Sequence, residues 1–130
     1  MEFPRLKLVV NLAPADLRKE GSAYDLPIAL AILAATRQID ESKLKDYLIL
    51  GELSLDGSLR PVRGVLPIAI QARKEKYKGI IVPSANALEA AIVQQIDVIG
   101  VDHLQDAVAF IQGEKEIAPV RFDTREEFNF

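Results

Sequence analysis

Ser22 is the serine whose setting suits chemistry. It follows Gly21 in Arg18-Lys19-Glu20-Gly21-Ser22-Ala23-Tyr24-Asp25-Leu26-Pro27, a polar loop that opens into an apolar run. A serine at a helix start has free backbone N–H groups and the positive end of the helix dipole beside it, and together these stabilise an oxyanion. To act as a nucleophile it also needs a base, and in a Ser-Lys dyad that base is a desolvated lysine amine. Lys19 and Lys74 are the nearest candidates by sequence, and both stand in charged, solvated stretches. The competing reading is local. Ser22 followed by Asp25 resembles an N-terminal cap, with the hydroxyl accepting a helix N–H.

The one histidine, His103, follows Asp102, so a Ser-His-Asp triad would have to recruit it. Local geometry explains the pair without catalysis: Asp102 caps a helix and His103 sits in its first turn. A single histidine and no cysteine weigh against zinc, and the scattered carboxylates match no calcium loop. The missing cysteines also exclude disulfides and a thiolate nucleophile. Neither a Gly-x-x-x-x-Gly-Lys-[Ser/Thr] loop nor a Gly-x-Gly-x-x-Gly turn occurs, so this sequence binds no ATP through a P-loop and no NAD through a Rossmann fingerprint. Arg18, Lys19, Arg60 and Arg63 form a basic cluster if the first loop meets the segment around Pro61. Such a face would contact phosphate or an acidic partner. Ordinary solvated charge, balanced by Asp16, Glu20 and Asp56, is the other reading. The net charge of −3 argues against a chain-wide grip on nucleic acid.

Hydrophobic patterning defines the elements that must hold these residues. With 130 residues, 49% apolar and 6% aromatic, the chain suffices for one domain with an aliphatic core. The longest apolar run, Leu26 to Ala35, falls short of the roughly 20 residues that cross a bilayer, and no secretory signal is visible. A cytoplasmic domain without membrane contact is expected.

Leu6 to Asn11 reads as a strand, residues 12–21 as a loop, and Leu26 to Ala35 as a helix buried all round. A short helical turn is expected within residues 37–46. Tyr47 to Leu53 reads as one strand. Asp56-Gly57 predicts a type I′ hairpin turn, with Leu59 to Val62 returning. Gly64 to Lys76 reads as a helix whose apolar face is Val65, Ile68, Ala69 and Ala72, stopped by Gly79. The strand Ile80 to Pro83 precedes a helix over Ala85 to Val93 capped by Ser84. The strand Asp97 to Val101 precedes a helix over Leu104 to Ile111, capped by Asp102 and ended by Gly113. This alternation predicts an α/β fold over residues 1–113. Residues 114–130 read as an acidic linker or tail that docks through Phe122, Phe128 or Phe130.

Lys19 to Leu33, taken with Gly51 to Val82, resembles the proteolytic domain of Lon proteases. Val10 to Pro27 is more closely similar to the N-terminal module of the Mg-chelatase-related family, which includes the competence protein ComM. The likeness covers residues 5–112. It implies a Lon-like α/β (α+β) fold with a mixed sheet and packed helices, and strands before Leu6 that are missing here. Lon proteases carry Lys-Asp-Gly-Pro-Ser-Ala-Gly at the first site, the serine being the nucleophile. Aligned on Glu20-Gly21, that nucleophile falls on Ala23. Beyond the hairpin Lon has Pro-Ile-Gly-Gly-Leu-Lys, ending in the catalytic lysine. Here Pro61-Val62-Arg63-Gly64-Val65-Leu66 puts Leu66 in its place. A methyl and an isobutyl group run no acyl transfer. Ser22 is one residue out of register, which turns a side chain by about 100° on a helix.

The resemblance therefore implies a non-catalytic scaffold or regulatory domain of an AAA+ ATPase. ATP and magnesium would belong to a motor domain of the same polypeptide rather than to this chain. The full-length protein would form a homo-oligomeric ring, with DNA as a candidate partner and ATP-driven branch migration as the ComM-like activity. Two alternatives stand beside it: a Ser-Lys peptidase using Ser22, and a DNA-binding module using Arg18, Lys19, Arg60 and Arg63.

Overall fold

The computed structural model describes residues 23–40 and 42–121. The expected strand over Leu6 to Asn11, the Ser22 cap and the docking phenylalanines lie outside them. The first described helix is α1 (Asp25–Ala35), followed by a single 3-10 turn at Leu44–Asp46. The strands are β1 (Tyr47–Ile49), β2 (Glu52–Leu53), β3 (Leu59–Arg60), β4 (Gly79–Pro83) and β5 (Asp97–Val101). Helix α2 (Val65–Lys74) precedes β4, α3 (Ser84–Ala90) links β4 to β5, and α4 (Leu104–Ile111) follows β5.

β1, β4 and β5 form a parallel sheet in the order β1-β4-β5, and β2 and β3 form a separate antiparallel ribbon. β4 is buried at all five positions because it is the central strand and both faces are covered, which explains its unbroken Gly-Ile-Ile-Val-Pro run. Alternation along the strands sends Leu48, Ile80, Val82 and Val98 to one face, where α2 and α3 pack through Val65, Ala69, Ala72, Ala87 and Ala90. Tyr47, Ile49, Ile81, Ile99 and Val101 point to the other face, covered by α1 and α4 through Leu26, Leu30, Ala107, Phe110 and Ile111. The result is an α/β fold with helices on both sides of a parallel sheet. Each fully buried Ile or Val contributes about 1.5–3 kcal/mol relative to exposure.

Several boundaries differ from the sequence expectation. The single strand expected over Tyr47 to Leu53 is two. β1 ends at Ile49, Leu50 N–H still donates to Ile81 O (3.0 Å), and the chain then turns to form β2. The hairpin turn is not type I′. Gly57 N–H donates to Ser54 O, Ser54 N–H donates to Ser58 O, and only Gly57 takes positive φ (+89°), giving a three-residue loop. Gly79 does not stop α2. Lys76 does so at φ +65°, with Lys76 N–H on Arg73 O and Tyr77 N–H on Ala72 O, a Schellman ending. Gly79 instead opens β4. Ser84 makes no capping bond, and Pro83 holds the cap position of α3. Helix α1 is apolar all round, yet only Leu26, Leu30 and Ala35 are buried, because it forms an outer layer rather than a central one.

Within the stretch expected as a tail, Ile117 and Val120 pack against the two core clusters, and Val120 N–H donates to Val98 O (2.8 Å).

Candidate functional site

The start of α1 and the segment after β1 are clasped together by backbone. Gly51 N–H donates to Ala23 O (2.8 Å), and Leu26 N–H donates to Gly51 O (2.9 Å). The Asp25 carboxylate accepts the Leu53 N–H at 2.9 Å. Gly51 suits this approach, since a Cβ there would lie a tight 3.0 Å from Leu59 Cδ2 and 3.2 Å from Leu26 Cβ. The clasp has a chemical consequence. An oxyanion at this helix start would need unoccupied N–H groups. Leu26 N–H is bonded to Gly51, Pro27 has none, and Ile28 N–H is bonded to Tyr24 O.

The segment before α2 is held from another direction. Asn86, on α3, accepts the Val62 N–H through Oδ1 and donates Nδ2 to Val62 O, both at 2.9 Å. Asn86 is the one buried polar residue among those described, 7% exposed, and both ends of its amide are satisfied. That grip leads into α2, where Leu66 is the second residue. Val62, Leu66 and Ala23 all pack against the same apolar cluster, which includes Leu50, Val65, Ile80 and Val82. Ala23 and Leu66 thus both border an apolar cluster whose described buried members carry no titratable group.

Of the other expected site residues, only some are described. Ser22, Arg18 and Lys19 lie outside the described residues. Arg60 and Arg63 are exposed, and Lys74 is exposed in the last turn of α2. Asp102 does not cap α4. Its carbonyl accepts Leu59 N–H (2.9 Å), and the chain stays extended for one more residue. His103 is the cap instead. Its Nδ1 accepts Gln105 N–H at 3.0 Å, and its Nε2 lies 2.9 Å from Asp56 O. With both ring nitrogens committed to backbone, this histidine does not serve a triad. Asp56 is exposed, and its carboxyl is held below the usual carboxylate range, first by the Ser58 N–H and then by the Ser58 hydroxyl.

Two cavities lie away from Ala23 and Leu66. One, of about 480 Å³, is lined by Lys45, Asp46, Glu75, Lys76, Tyr77 and Lys78. The other, of about 570 Å³, has Lys43, Phe110, Lys115 and Ile117 in its wall. Lys43 donates to Phe110 O (3.1 Å) and stands 4.4 Å from the centroid of its ring. Among the described residues no three His, Cys, Asp or Glu side chains come together as a metal site, and no helix is long and apolar enough to cross a membrane.

Sequence reasoning missed Asn86 and the Gly51 clasp. Asn86 was detectable as a polar residue sharing a helical face with Ala90, four residues on. The clasp leaves no local sequence signal because its partners are 25 or more positions apart.

Comparison with known proteins adds the relatives. Residues 1–86 match the family described as Subunit ChlI of Mg-chelatase. The chain is 46% identical over 112 residues to the uncharacterized protein YifB of Salmonella typhimurium, an overlap of 86% of this chain and 22% of that protein. It is 43% identical over 116 residues to the competence protein ComM of Haemophilus influenzae, covering 89% of this chain and 23% of ComM. Lon protease 2 of Syntrophobacter fumaroxidans is 32% identical over 92 residues, 69% of this chain and 11% of that protease. The chain spans about a fifth of the length of the YifB and ComM relatives.

Proposed function

The chain belongs to the Mg-chelatase subunit ChlI family, and on that premise we propose that it is a non-catalytic, Lon-like scaffold or regulatory domain of a ComM-related AAA+ ATPase. The observation that carries this reading is the packing of Ala23 and Leu66 on one apolar cluster. These are the positions at which the Lon resemblance places nucleophile and base. The clasp supports it as well, because Gly51 occupies the Leu26 N–H at the same helix start.

In this reading the domain lends its rigid sheet and helices to a cytoplasmic ring. ATP and magnesium are bound by a motor domain of the longer polypeptide. The ring's work is ATP-driven branch migration on DNA, the activity implied by the likeness to ComM.

Two substitutions in the longer protein test the proposal. Ser22→Ala should leave ATP hydrolysis and ring assembly intact. Leu26→Asp, which puts a carboxylate at a position with no exposed surface, should impair assembly. Loss of ATP hydrolysis in Ser22→Ala would overturn the non-catalytic reading. Normal assembly in Leu26→Asp would overturn the scaffold reading.

A further inference from the structure

One imidazole joins the hairpin to the last helix. His103 Nδ1 accepts the Gln105 N–H at 3.0 Å, and Nε2 faces Asp56 O at 2.9 Å. Backbone bonds flank the ring on both sides: Leu104 N–H donates to Gly57 O and Leu59 N–H donates to Asp102 O, each at 2.9 Å. The ring lies directly on Gly57, where a Cβ would fall 2.7 Å from His103 Cε1.

These partners determine the protonation state. A backbone N–H can only donate, so Nδ1 presents its lone pair to Gln105. A backbone carbonyl can only accept, so the single proton of the neutral ring sits on Nε2. A second proton has one place to go, which is Nδ1. There it would meet the Gln105 N–H head-on, donor against donor, at the positive end of α4. Proton uptake and capping are therefore mutually exclusive, whereas the bond from Nε2–H to Asp56 O survives.

The surrounding charges favour the same division. From the hairpin, the Asp56 carboxylate attracts an imidazolium while remaining bonded to Ser58. On the ring's own side, Asp102 precedes it, and Asp106 in the first turn of α4 is paired with Lys115 at 2.9 Å. A protonated ring thus stays bonded to the hairpin and releases the Gln105 N–H.

We propose that His103 is a proton-operated cap: one proton taken up at Nδ1 frees the Gln105 amide and uncaps α4, while the ring stays bonded to the hairpin. The hairpin carries the fully exposed Leu55 and runs through β3 into the Val62 segment held by Asn86.

Nitrogen NMR of the ring and amide hydrogen exchange on the full 130-residue chain test this. At neutral pH the ring should be the Nε2–H tautomer. As the ring becomes imidazolium, the protection factor of the Gln105 amide should fall about fivefold or more, in line with loss of an N-cap. The Leu50 amide, bonded to Ile81 O in the sheet, should keep its protection. His103→Asn retains a capping side chain and cannot titrate, so its Gln105 protection should be the same at both pH values. A neutral ring carrying its proton on Nδ1 would overturn the proposal. Unchanged Gln105 protection in the imidazolium state, or an equal acid loss in His103→Asn, would do the same.

Discussion

The Asn86 side chain pairs with the backbone of Val62 as a neighbouring strand would, accepting its N–H and donating to its C=O at 2.9 Å each. One buried amide thereby holds the segment between the hairpin and α2, and with it the orientation of Leu66. Truncating it leaves two half-buried backbone groups without partners.

Asn86→Ala should therefore destabilise the chain by about 2–3 kcal/mol. Asn86→Asp should recover only part of that, because a carboxylate accepts the Val62 N–H but opposes its carbonyl. Urea unfolding reads both, and the denaturant slope should not change if the effect is local. A loss below about 0.5 kcal/mol in Asn86→Ala would show that the pairing does not hold the segment.

Restoring the residue types of a dyad should not restore activity. Ala23→Ser with Leu66→Lys places a hydroxyl and an amine at the positions that the Lon resemblance assigns to nucleophile and base. The Leu26 N–H remains bonded to Gly51 O, however, and Pro27 offers none. The double variant should lose about 1–3 kcal/mol from placing polar groups against the apolar cluster. It should cleave no fluorogenic peptide above background, and turnover would contradict the account of the clasp.

Stability should weaken at both extremes of pH. Tyr47 packs edge-on to Phe110 (5.5 Å between centroids, 76°), and its phenol is pushed up first by burial, then by Asp97 and Asp46. A raised folded value means that its contribution is whole below the unfolded value near 10 and is lost as pH climbs through the folded one. Tyr47→Phe should flatten this alkaline slope. Asp56 and Asp40 are depressed, by hydrogen bonds from Ser58 and Ser42. Their contribution is present above the ordinary carboxylate value near 4 and is lost as pH falls through the lower folded values. Unfolding free energies across the two pH ranges check the signs.

Gly57→Ala should destabilise the hairpin. The position needs φ +89° and its new methyl would fall against the His103 ring. A loss of about 1–3 kcal/mol in thermal unfolding is expected. His103→Ala in the same chain should relieve part of it, because the clash then disappears while the backbone strain remains.

Legibility in the sequence followed the reach of each signal. The limits of β5 and α4 were readable because Asp97 to Val101 and Leu104 to Ile111 are bounded by local turn chemistry. The hairpin was readable from Asp56-Gly57, but its type was not, since only the pairing of Ser54 with Ser58 decides the loop length. The α4 cap fell on His103 rather than Asp102 because Leu59, 43 positions earlier, keeps Asp102 in an extended pairing. The break between β1 and β2 has the same origin. Tyr47 to Leu53 is strand-like apart from Gly51 and Glu52, and the bond from Gly51 to Ala23 across the fold divides it there. For the site, the proposed roles of positions 23 and 66 come from resemblance alone, whereas the apolar cluster that both border required the folded chain.

The central claim is that no serine in this chain is an activated nucleophile. Incubation of the full 130-residue chain with a serine-reactive fluorophosphonate, read by intact mass, tests it most directly. The account predicts an unmodified mass after prolonged exposure, the same as for Ser22→Ala. A stoichiometric adduct that maps to Ser22 and is lost in that variant would contradict it.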